Sequence, residues 1–355
     1  MHIKAIAAKV FALLLAATFA SVLAGCGGGL ASGGADDQEA QAAIPVKVLI
    51  LPHFEVDQMS GDYPGEAQYY YEEYLQGGEA YDVRGLPEDI RLFLKDGVAL
   101  CLTGQGKVSA ALAVSAILSD ERFDFSDAYV LATGCAGAAK GYGVFGDVYV
   151  ISAAVDYDLG HNADAREQSD DRAVTWYHDE DYDDVAAFML DPGLTDAVFD
   201  LVKDTPLETS ETAVAQLAES FPGEEWAARP PKVLKGTSVT GDNYWKGEYG
   251  HQNALLVRET YGCPDPYAAS EMEDVAICQA MDNFGMLDRL IILRDAVNMD
   301  VFTSGSTPES LWGPKSEDEL ASDSSDESAG VFVPGTRNNF AVGKIVIQAI
   351  LDGKL

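Results

Sequence analysis

Short apolar runs alternate with helical segments through the middle of the chain. Four of the runs have the composition of buried strands, at residues 46–51, 98–102, 128–132 and 148–151. Strands that are apolar on both faces belong to sheets that helices cover on both sides. The pattern therefore predicts an α/β fold built around a buried sheet. A fifth apolar run at residues 290–293 precedes Arg294.

Two of these runs lead into glycine turns. The second run ends in the turn at residues 103–106, which contains Gly104, and the third ends at residues 133–138, which contain Cys135 and Gly137. Glycine turns allow backbone N–H groups to approach a ligand closely. Ser109 stands where the dinucleotide fingerprint requires its third glycine, so a nicotinamide site is excluded and no cofactor is expected.

The helix after the first turn is predicted to be amphipathic. Val108, Ala111, Leu112 and Leu118 lie on one side of a helical projection, together with Ser115. This side is expected to pack against the sheet.

Acidic side chains occur in two places where a pocket is expected. Glu55 and Asp57 follow the first strand, at the edge where α/β sheets bind ligands. The segment 270–277 is predicted to be a helix, with Met272 facing inward and Glu273 at the edge of the apolar face. A carboxylate in that place is suited to accept two hydrogen bonds from a vicinal diol. Each acidic group also fits a simpler interpretation, a polar loop or the acidic first turn of an ordinary helix.

The beginning of the chain has the order of an export signal. Positive residues precede an apolar stretch at residues 10–22, and Leu-Ala-Gly stands before Cys26. This order resembles a bacterial lipoprotein signal and predicts a signal peptide over residues 1–25 with lipid on Cys26. Residues 26–45 are predicted to be a flexible linker and residues 46–355 a single domain. We therefore expect an exported protein that is anchored by lipid at the outside of the cell membrane.

Charge and hydropathy exclude several functions. The formal net charge of −35 disfavours nucleic acid and anionic lipid as partners. No apolar run after Cys26 approaches the ~20 residues of a membrane-spanning helix, so the chain cannot form a pore or a carrier by itself. The cysteine spacing matches no metal site, so no metal is expected, and it gives no basis for disulfides.

Five sequence blocks together resemble the nucleoside phosphorylase superfamily, which includes phosphorylases and hydrolytic nucleosidases. The blocks are TGQGKVSAAL, TGCAGAA, GDVYVIS, TGDNYW and SEMEDVAI, in the order of the family. An acidic insertion at about residues 160–232 narrows the resemblance to purine nucleoside permeases, extracytoplasmic proteins linked by name to nucleoside uptake. The resemblance implies a three-layer α/β/α fold with a mixed sheet and a helical insertion, and purine nucleosides as ligands.

The resemblance assigns residues to both halves of a nucleoside. Glu273 matches the carboxylate that grips the ribose diol, and Met272 the residue beneath the sugar. Tyr244 and Trp245 match the wall against the base. The matching turn places Cys135 and Gly137 beneath sugar and base, with Gly104 and Arg294 as further binding residues. Glu55 or Asp57 falls near the position that activates water, and Glu55 is preferred.

Two departures from the family pattern bear on the chemistry. Asn298 stands where hydrolytic nucleosidases carry an Asp that protonates the purine, and an amide delivers no proton. Ala132 stands where phosphorylases carry an arginine for phosphate, which disfavours phosphorolysis. Hydrolysis of the N-glycosidic bond and binding alone, for a separate membrane transporter, stay open. A relict fold with only an interaction role is disfavoured by the intact Glu273 and Trp245. The resemblance leaves a homo-oligomer open.

Overall fold

The computed structural model describes residues 42–168, 174–313 and 330–355. Residues Ala43–Leu355 form one compact unit. The predicted signal peptide, the lipidation site Cys26 and most of the predicted linker lie outside the described residues, as do residues 169–173 of the predicted insertion.

Strands and helices alternate along most of the unit. The strands are β1 Ile44–Pro45, β2 Val48–Leu51, β3 Glu79–Tyr81, β4 Leu92–Lys95, β5 Val98–Leu100, β6 Phe123–Asp124, β7 Tyr129–Ala138, β8 Val148–Asp156, β9 His161–Asn162, β10 Trp176–Tyr177, β11 Ala187–Met189, β12 Val233–Thr240, β13 Tyr267–Glu271 and β14 Leu290–Met299. The α-helices are α1 Gln68–Tyr70, α2 Lys107–Leu118, α3 Asp183–Ala186, α4 Pro192–Val202, α5 Glu211–Ser220, α6 Glu248–Thr260, α7 Asp274–Asn283, α8 Pro308–Trp312 and α9 Phe332–Leu351. A π-helical turn, Tyr71–Leu75, continues α1.

Ten strands form one mixed sheet in the order β11-β8-β12-β13-β7-β2-β5-β4-β3, with β14 paired to both β7 and β8. Five of them, β7, β14, β8, β12 and β13, pair in a closed circuit of parallel and antiparallel contacts. The sheet thereby curls at one end, and the ends of its strands converge there.

Helices cover both faces of this sheet. Leu49 and Leu51 of β2 share a core with α2 and α7, whereas Val48 and Ile50 share a core with α1, α4 and α9. Alternating side chains of one strand therefore pack against opposite layers, as a strand periodicity of two requires. The predicted three-layer α/β/α fold with a mixed sheet is confirmed.

The structure corrects the predicted bounds of several elements. The residues 133–138, predicted as a tight turn, belong to β7, which continues to Ala138 because β14 and β13 both pair with its second half. The helix predicted over residues 270–277 is wrong in its first half. Ser270 and Glu271 end β13 in register with β12, and α7 begins only at Asp274.

The predicted apolar face of α2 is also wrong. Val108 and Leu112 are 69% and 63% exposed, whereas Ala110, Val114 and Ile117 are buried. Apolar residues occur on every side of this helix, so periodicity does not single out the side that meets the sheet.

The segment predicted as a helical insertion is only partly helical. It contributes α4 and α5, and also β11, which extends the main sheet by pairing antiparallel to β8. Across the described residues, no helix combines the length and the hydropathy needed to cross a membrane.

Candidate functional site: an acidic cleft at the strand ends

A cleft opens where the strand ends converge, and its empty space of about 700 Å³ includes the open solvent at its mouth. Its lining comes from the loops after β2, β5 and β12 and from the ends of β7, β13 and β14: His53, Phe54, Glu66, Gln105, Cys135, Ala136, Gly137, Gly241, Asn243, Tyr244, Trp245, Ser270, Glu271, Met272, Glu273 and Asn298. Seven predicted site residues lie in this lining, namely Asn298, Glu273, Met272, Tyr244, Trp245, Cys135 and Gly137.

Glu273 is held between two elements at the floor of the cleft. It is the residue before α7, where the chain leaves β13, and it is 4% exposed. Its Oε1 accepts the backbone N–H of Gly106 at 2.8 Å, and its Oε2 lies 3.2 Å from Nη2 of Arg294. These two contacts fix the plane of the carboxylate, so a ligand meets an acceptor that is already oriented.

Arg294 lies beneath the cleft and does not line it. Its Nη2 contacts Glu271 at 3.1 Å, Glu273 at 3.2 Å and Asp274 at 2.6 Å, and the guanidinium is almost fully buried. Burial and the neighbouring charge of Asp274 raise the pKa of Glu271 to about 8. A single cation thus orients three acidic side chains, and the predicted binding role of Arg294 is indirect.

The glycine turn after β5 contacts the site through a different residue from the one predicted. Gly104, with φ at +76°, does not line the cleft. Gly106, with φ at +85°, gives its N–H to Glu273, and Gln105 between them lines the cleft. Gly104 therefore shapes the turn, since a positive φ favours glycine.

The carboxylates predicted to activate water lie outside the cleft. Glu55 accepts backbone N–H groups from Val56, Gly65, Ala67 and Gln68, and so holds the loop after β2 together. Asp57 is exposed, with φ at +55°. Neither residue lines the cleft. Glu55, the preferred candidate, therefore stabilises its own loop and does not face the site.

Glu66, which sequence reasoning missed, is the acidic group that this loop brings into the cleft. Its Oε2 accepts the N–H of His53 at 2.7 Å and its Oε1 the N–H of Cys135 at 2.8 Å. Burial raises the pKa of Glu66 to about 7, against the opposing charge of Arg294. A Cβ at Gly134 would lie 2.7 Å from Glu66, so the strand has glycine where this carboxylate packs. The only signal in the sequence is an acidic residue just before the tyrosine-rich helix.

His53 lies beside these carboxylates. Its ring is 2% exposed, with Nδ1 at 2.7 Å from Thr103 Oγ1 and Nε2 at 3.8 Å from Glu273 Oε2. Burial, followed by the charge of Arg294, lowers the pKa of His53 well below its ordinary value. The ring is therefore neutral at physiological pH.

Aromatic residues form the opposite wall of the cleft. Trp245 stacks on Tyr157 with ring centroids 4.8 Å apart, and Gly250 leaves the space that its six-membered ring fills. Tyr244 is half exposed, contacts Trp312 of α8 and accepts a hydrogen bond from Asn298 Nδ2 at 3.0 Å. Asn298 therefore has its amide oriented by the wall of the cleft.

The described lining of this cleft is acidic. Among its described lining residues there is neither lysine nor arginine, while Glu66, Glu271 and Glu273 are acidic. In the described ranges, no group of three or more His, Cys, Asp or Glu side chains is arranged to hold a metal ion. The described cysteines carry free thiols, and burial raises the pKa of Cys135 well above its ordinary value. The chemistry of the cleft rests on carboxylates, an imidazole and an amide.

Solved structures show which fold this is. The chain matches the MTA/SAH nucleosidase of Streptococcus pneumoniae in complex with 8-aminoadenine with a TM-score of 0.51 and 16% identity, covering 86% of this chain and 100% of that one. The S-adenosylhomocysteine nucleosidase of Streptococcus pyogenes gives a TM-score of 0.51 and 15% identity, over 87% and 98% of the two chains. At this identity the likeness concerns the fold alone, and it confirms the nucleoside phosphorylase-like fold.

Sequence comparison gives the family. A probable purine nucleoside permease of Schizosaccharomyces pombe is 28% identical over 221 residues, 56% of this chain and 63% of that protein. The purine nucleoside permease of Candida albicans is 27% identical over 215 residues, 54% of this chain and 52% of that protein. The chain thus spans about half to two-thirds of the length of these relatives. The model of the purine nucleoside permease (NUP) family matches residues 45–354, and the chain belongs to that family.

Proposed function

We propose that the cleft binds a purine nucleoside and that the protein hydrolyses its N-glycosidic bond. The observation that carries the proposal is the meeting of two buried carboxylates, Glu66 and Glu273, in one cleft with an aromatic wall. The ribose lies over Met272, with its diol toward Glu273. The purine lies against Trp245 and Tyr244, where stacking contributes about 1–3 kcal/mol by analogy with single-stranded nucleic-acid binding.

Glu66 takes the role for which the sequence favoured Glu55. In the ionised form Glu66 accepts a proton from water, while the oxygen of that water forms a bond to C1′ of the ribose. The C1′–N9 bond breaks and its electron pair passes to the purine. A pKa of about 7 leaves a large fraction of Glu66 ionised at neutral pH and still basic enough to take the proton.

Water is favoured over phosphate as the attacking group. Phosphate needs positive charge or free N–H groups, and the lining contains acidic side chains instead of lysine or arginine. The N–H groups of His53 and Cys135, which approach the same point, already donate to Glu66. Phosphorolysis is therefore the disfavoured reaction.

A second candidate is a protein that captures nucleosides for a separate membrane transporter without chemistry. Asn298 favours it, because its amide supplies a hydrogen bond to the base but no proton for the departing purine. In the hydrolytic proposal, the purine takes that proton from solvent after the bond has broken. The two candidates share the binding site and differ in the role of Glu66.

We further propose that the protein acts outside the cell membrane, anchored by lipid on Cys26 and taking part in nucleoside uptake or metabolism. The support is the order of residues 1–26, with a positive start, an apolar stretch and Leu-Ala-Gly-Cys. The Cys26→Ser variant is expected to move from the membrane fraction to the soluble fraction of the cells. Equal membrane association of both forms would refute the anchor.

The deciding experiment incubates the purified protein with inosine, adenosine and guanosine, with and without phosphate, and follows base and sugar by chromatography. Free base with ribose in both conditions supports hydrolysis. Base with ribose 1-phosphate only when phosphate is present refutes it in favour of phosphorolysis. Saturable binding by calorimetry without turnover leaves the capture protein, and neither binding nor turnover refutes both candidates.

A further inference from the structure

The imidazole of His53 has one nitrogen that the protein does not use. Nδ1 lies 2.7 Å from Thr103 Oγ1, whereas Nε2 has no hydrogen-bond partner among the described residues although it is buried. This nitrogen lies 3.8 Å from Oε2 of Glu273, in the lining of the cleft. A buried nitrogen without a hydrogen-bond partner costs free energy unless a ligand forms that hydrogen bond.

The neighbouring threonine determines which nitrogen carries the hydrogen. The hydroxyl of Thr103 has one hydrogen and two neighbours, the carbonyl of Gly104 at 3.0 Å, which can only accept, and Nδ1 of His53 at 2.7 Å. When the hydroxyl donates to the carbonyl, it accepts from Nδ1, which is then the protonated nitrogen of the neutral ring. Nε2 consequently presents a lone pair to the cleft.

The lone pair of Nε2 faces a second acceptor. Glu273 Oε2 already accepts from Arg294 at 3.2 Å and retains a lone pair, since a carboxylate offers about four acceptor positions. A carboxylate oxygen and a bare imidazole nitrogen 3.8 Å apart cannot bond to each other, and both need donors. A vicinal diol brings two O–H donors on adjacent carbons, one for each acceptor.

We propose that His53 determines specificity for ribonucleosides: its Nε2 accepts a hydrogen bond from one hydroxyl of the ribose, while Glu273 accepts one from the other. The inference rests on the proposed nucleoside site and adds a second diol acceptor to it. The backbone N–H of His53 donates to Glu66 at 2.7 Å, so one residue links the proposed diol site to Glu66, the proposed general base.

The test measures binding of an inosine analogue whose glycosidic bond is C–C, so that no turnover disturbs calorimetry, together with its 2′-deoxy and 3′-deoxy forms. The wild type is expected to prefer the ribose form over both deoxy forms. In His53→Leu, one of these two preferences is expected to fall by roughly five- to a hundred-fold and the other to persist through Glu273. Unchanged affinity for free hypoxanthine checks that the variant is folded.

A matched pair at Thr103 tests the same inference without touching the ring. Thr103→Val removes the acceptor that fixes the tautomer and is expected to weaken the same preference, whereas Thr103→Ser keeps it. If the wild type binds the ribose form but both preferences survive in His53→Leu and in Thr103→Val, the role of His53 is refuted and the proposed function stands. If the wild type binds no nucleoside, the proposed function fails and this inference with it.

Discussion

The carboxylate of Glu273 is fixed in the cleft by two neighbours behind it. Gly106 and Arg294 hold its two oxygens at 2.8 and 3.2 Å, and the guanidinium also contacts Glu271 and Asp274. Without that buried cation, these acidic groups would have no opposite charge beside them. At the scale of single residues, the proposed diol site therefore depends on Arg294 as well as on Glu273.

Replacing Glu273 with Gln is expected to weaken nucleoside binding by about 1–3 kcal/mol while free purine binding changes little. The amide retains one acceptor oxygen but loses the charge that strengthens the contact with a diol. Calorimetry with inosine and with hypoxanthine measures both affinities. The exposed Glu88→Gln serves as the control that leaves both unchanged. Equal losses for nucleoside and base would contradict the assignment of Glu273 to the sugar.

Glu66 gives the proposed hydrolysis a defined dependence on pH. Its pKa is raised to about 7, so the ionised form that accepts a proton from water is lost as the pH falls through 7. The value of kcat/KM for inosine is expected to rise about tenfold per pH unit below 7 and to level off above it. Glu66→Gln is expected to lose most turnover, roughly a hundred-fold or more, while still binding nucleoside. A wild-type profile that is flat from pH 5 to 8 would exclude Glu66 as the base.

At the scale of elements, Lys107 joins three loops that surround the cleft. Its Nζ contacts Asp156, the last residue of β8, at 3.0 Å and Asp158 after β8 at 2.9 Å, and its N–H donates to Asp242 after β12 at 2.8 Å. The preceding residue is Gly106, whose N–H holds Glu273. The first residue of α2 thus connects the proposed ribose site to the wall that carries Tyr244.

Lys107→Met is expected to loosen these loops, because the side chain keeps its length and loses its charge while two carboxylates stay close together. Nucleoside affinity is expected to fall several-fold and the free energy of unfolding by about 1–3 kcal/mol. Lys107→Arg, which keeps the charge, is expected to preserve most of both. Calorimetry and urea unfolding measure the two effects. An unchanged affinity in Lys107→Met would show that the loops keep their positions without it.

The elements were predictable from the sequence to the extent that local pattern determines them. Buried strands are continuous apolar runs, so composition predicts β2, β5 and the first half of β7. For the second half of β7 the sequence predicts a turn, because Gly134 and Gly137 are typical turn residues and only the folded structure shows β14 and Glu66 packed against them. The conformation of such glycines is determined by residues that are distant in the sequence.

Site residues can be predicted where a family motif fixes their spacing. They cannot be predicted in a loop whose conformation depends on contacts with distant residues. Glu273, Met272, Trp245 and Asn298 follow motifs and lie in the cleft. No family motif fixes the spacing in the loop between β2 and α1. Which of its residues reaches the cleft depends on how the loop folds back against β7. Glu55 ties that loop together from within, which is why Glu66, eleven positions later, faces the site.

At the scale of the whole molecule, the protein has a formal net charge of −35 and also buries several acidic side chains. Asp295 pairs with Asn339 through one oxygen at 2.8 Å, and its other oxygen has no partner among the described residues. Burial, followed by the charge of Glu66, raises the pKa of Asp295 to about 8, and Glu271 also has a pKa of about 8. The folded protein therefore holds protons that the unfolded chain releases near pH 4.

These protons predict how stability changes with pH. Between about pH 4 and pH 8 these carboxyls bind more protons in the folded state than in the unfolded state, so their contribution to the free energy of unfolding falls as pH rises. Asp295→Asn removes one of the responsible groups without changing its size, and is expected to reduce the fall from pH 5 to pH 8 by at least about 1 kcal/mol. Urea unfolding across this range measures the slope, and the exposed Asp127→Asn provides the matched control. Parallel curves for the wild type and Asp295→Asn would mean that Asp295 is ionised in the folded protein, and that Glu66 then works beside a second negative charge.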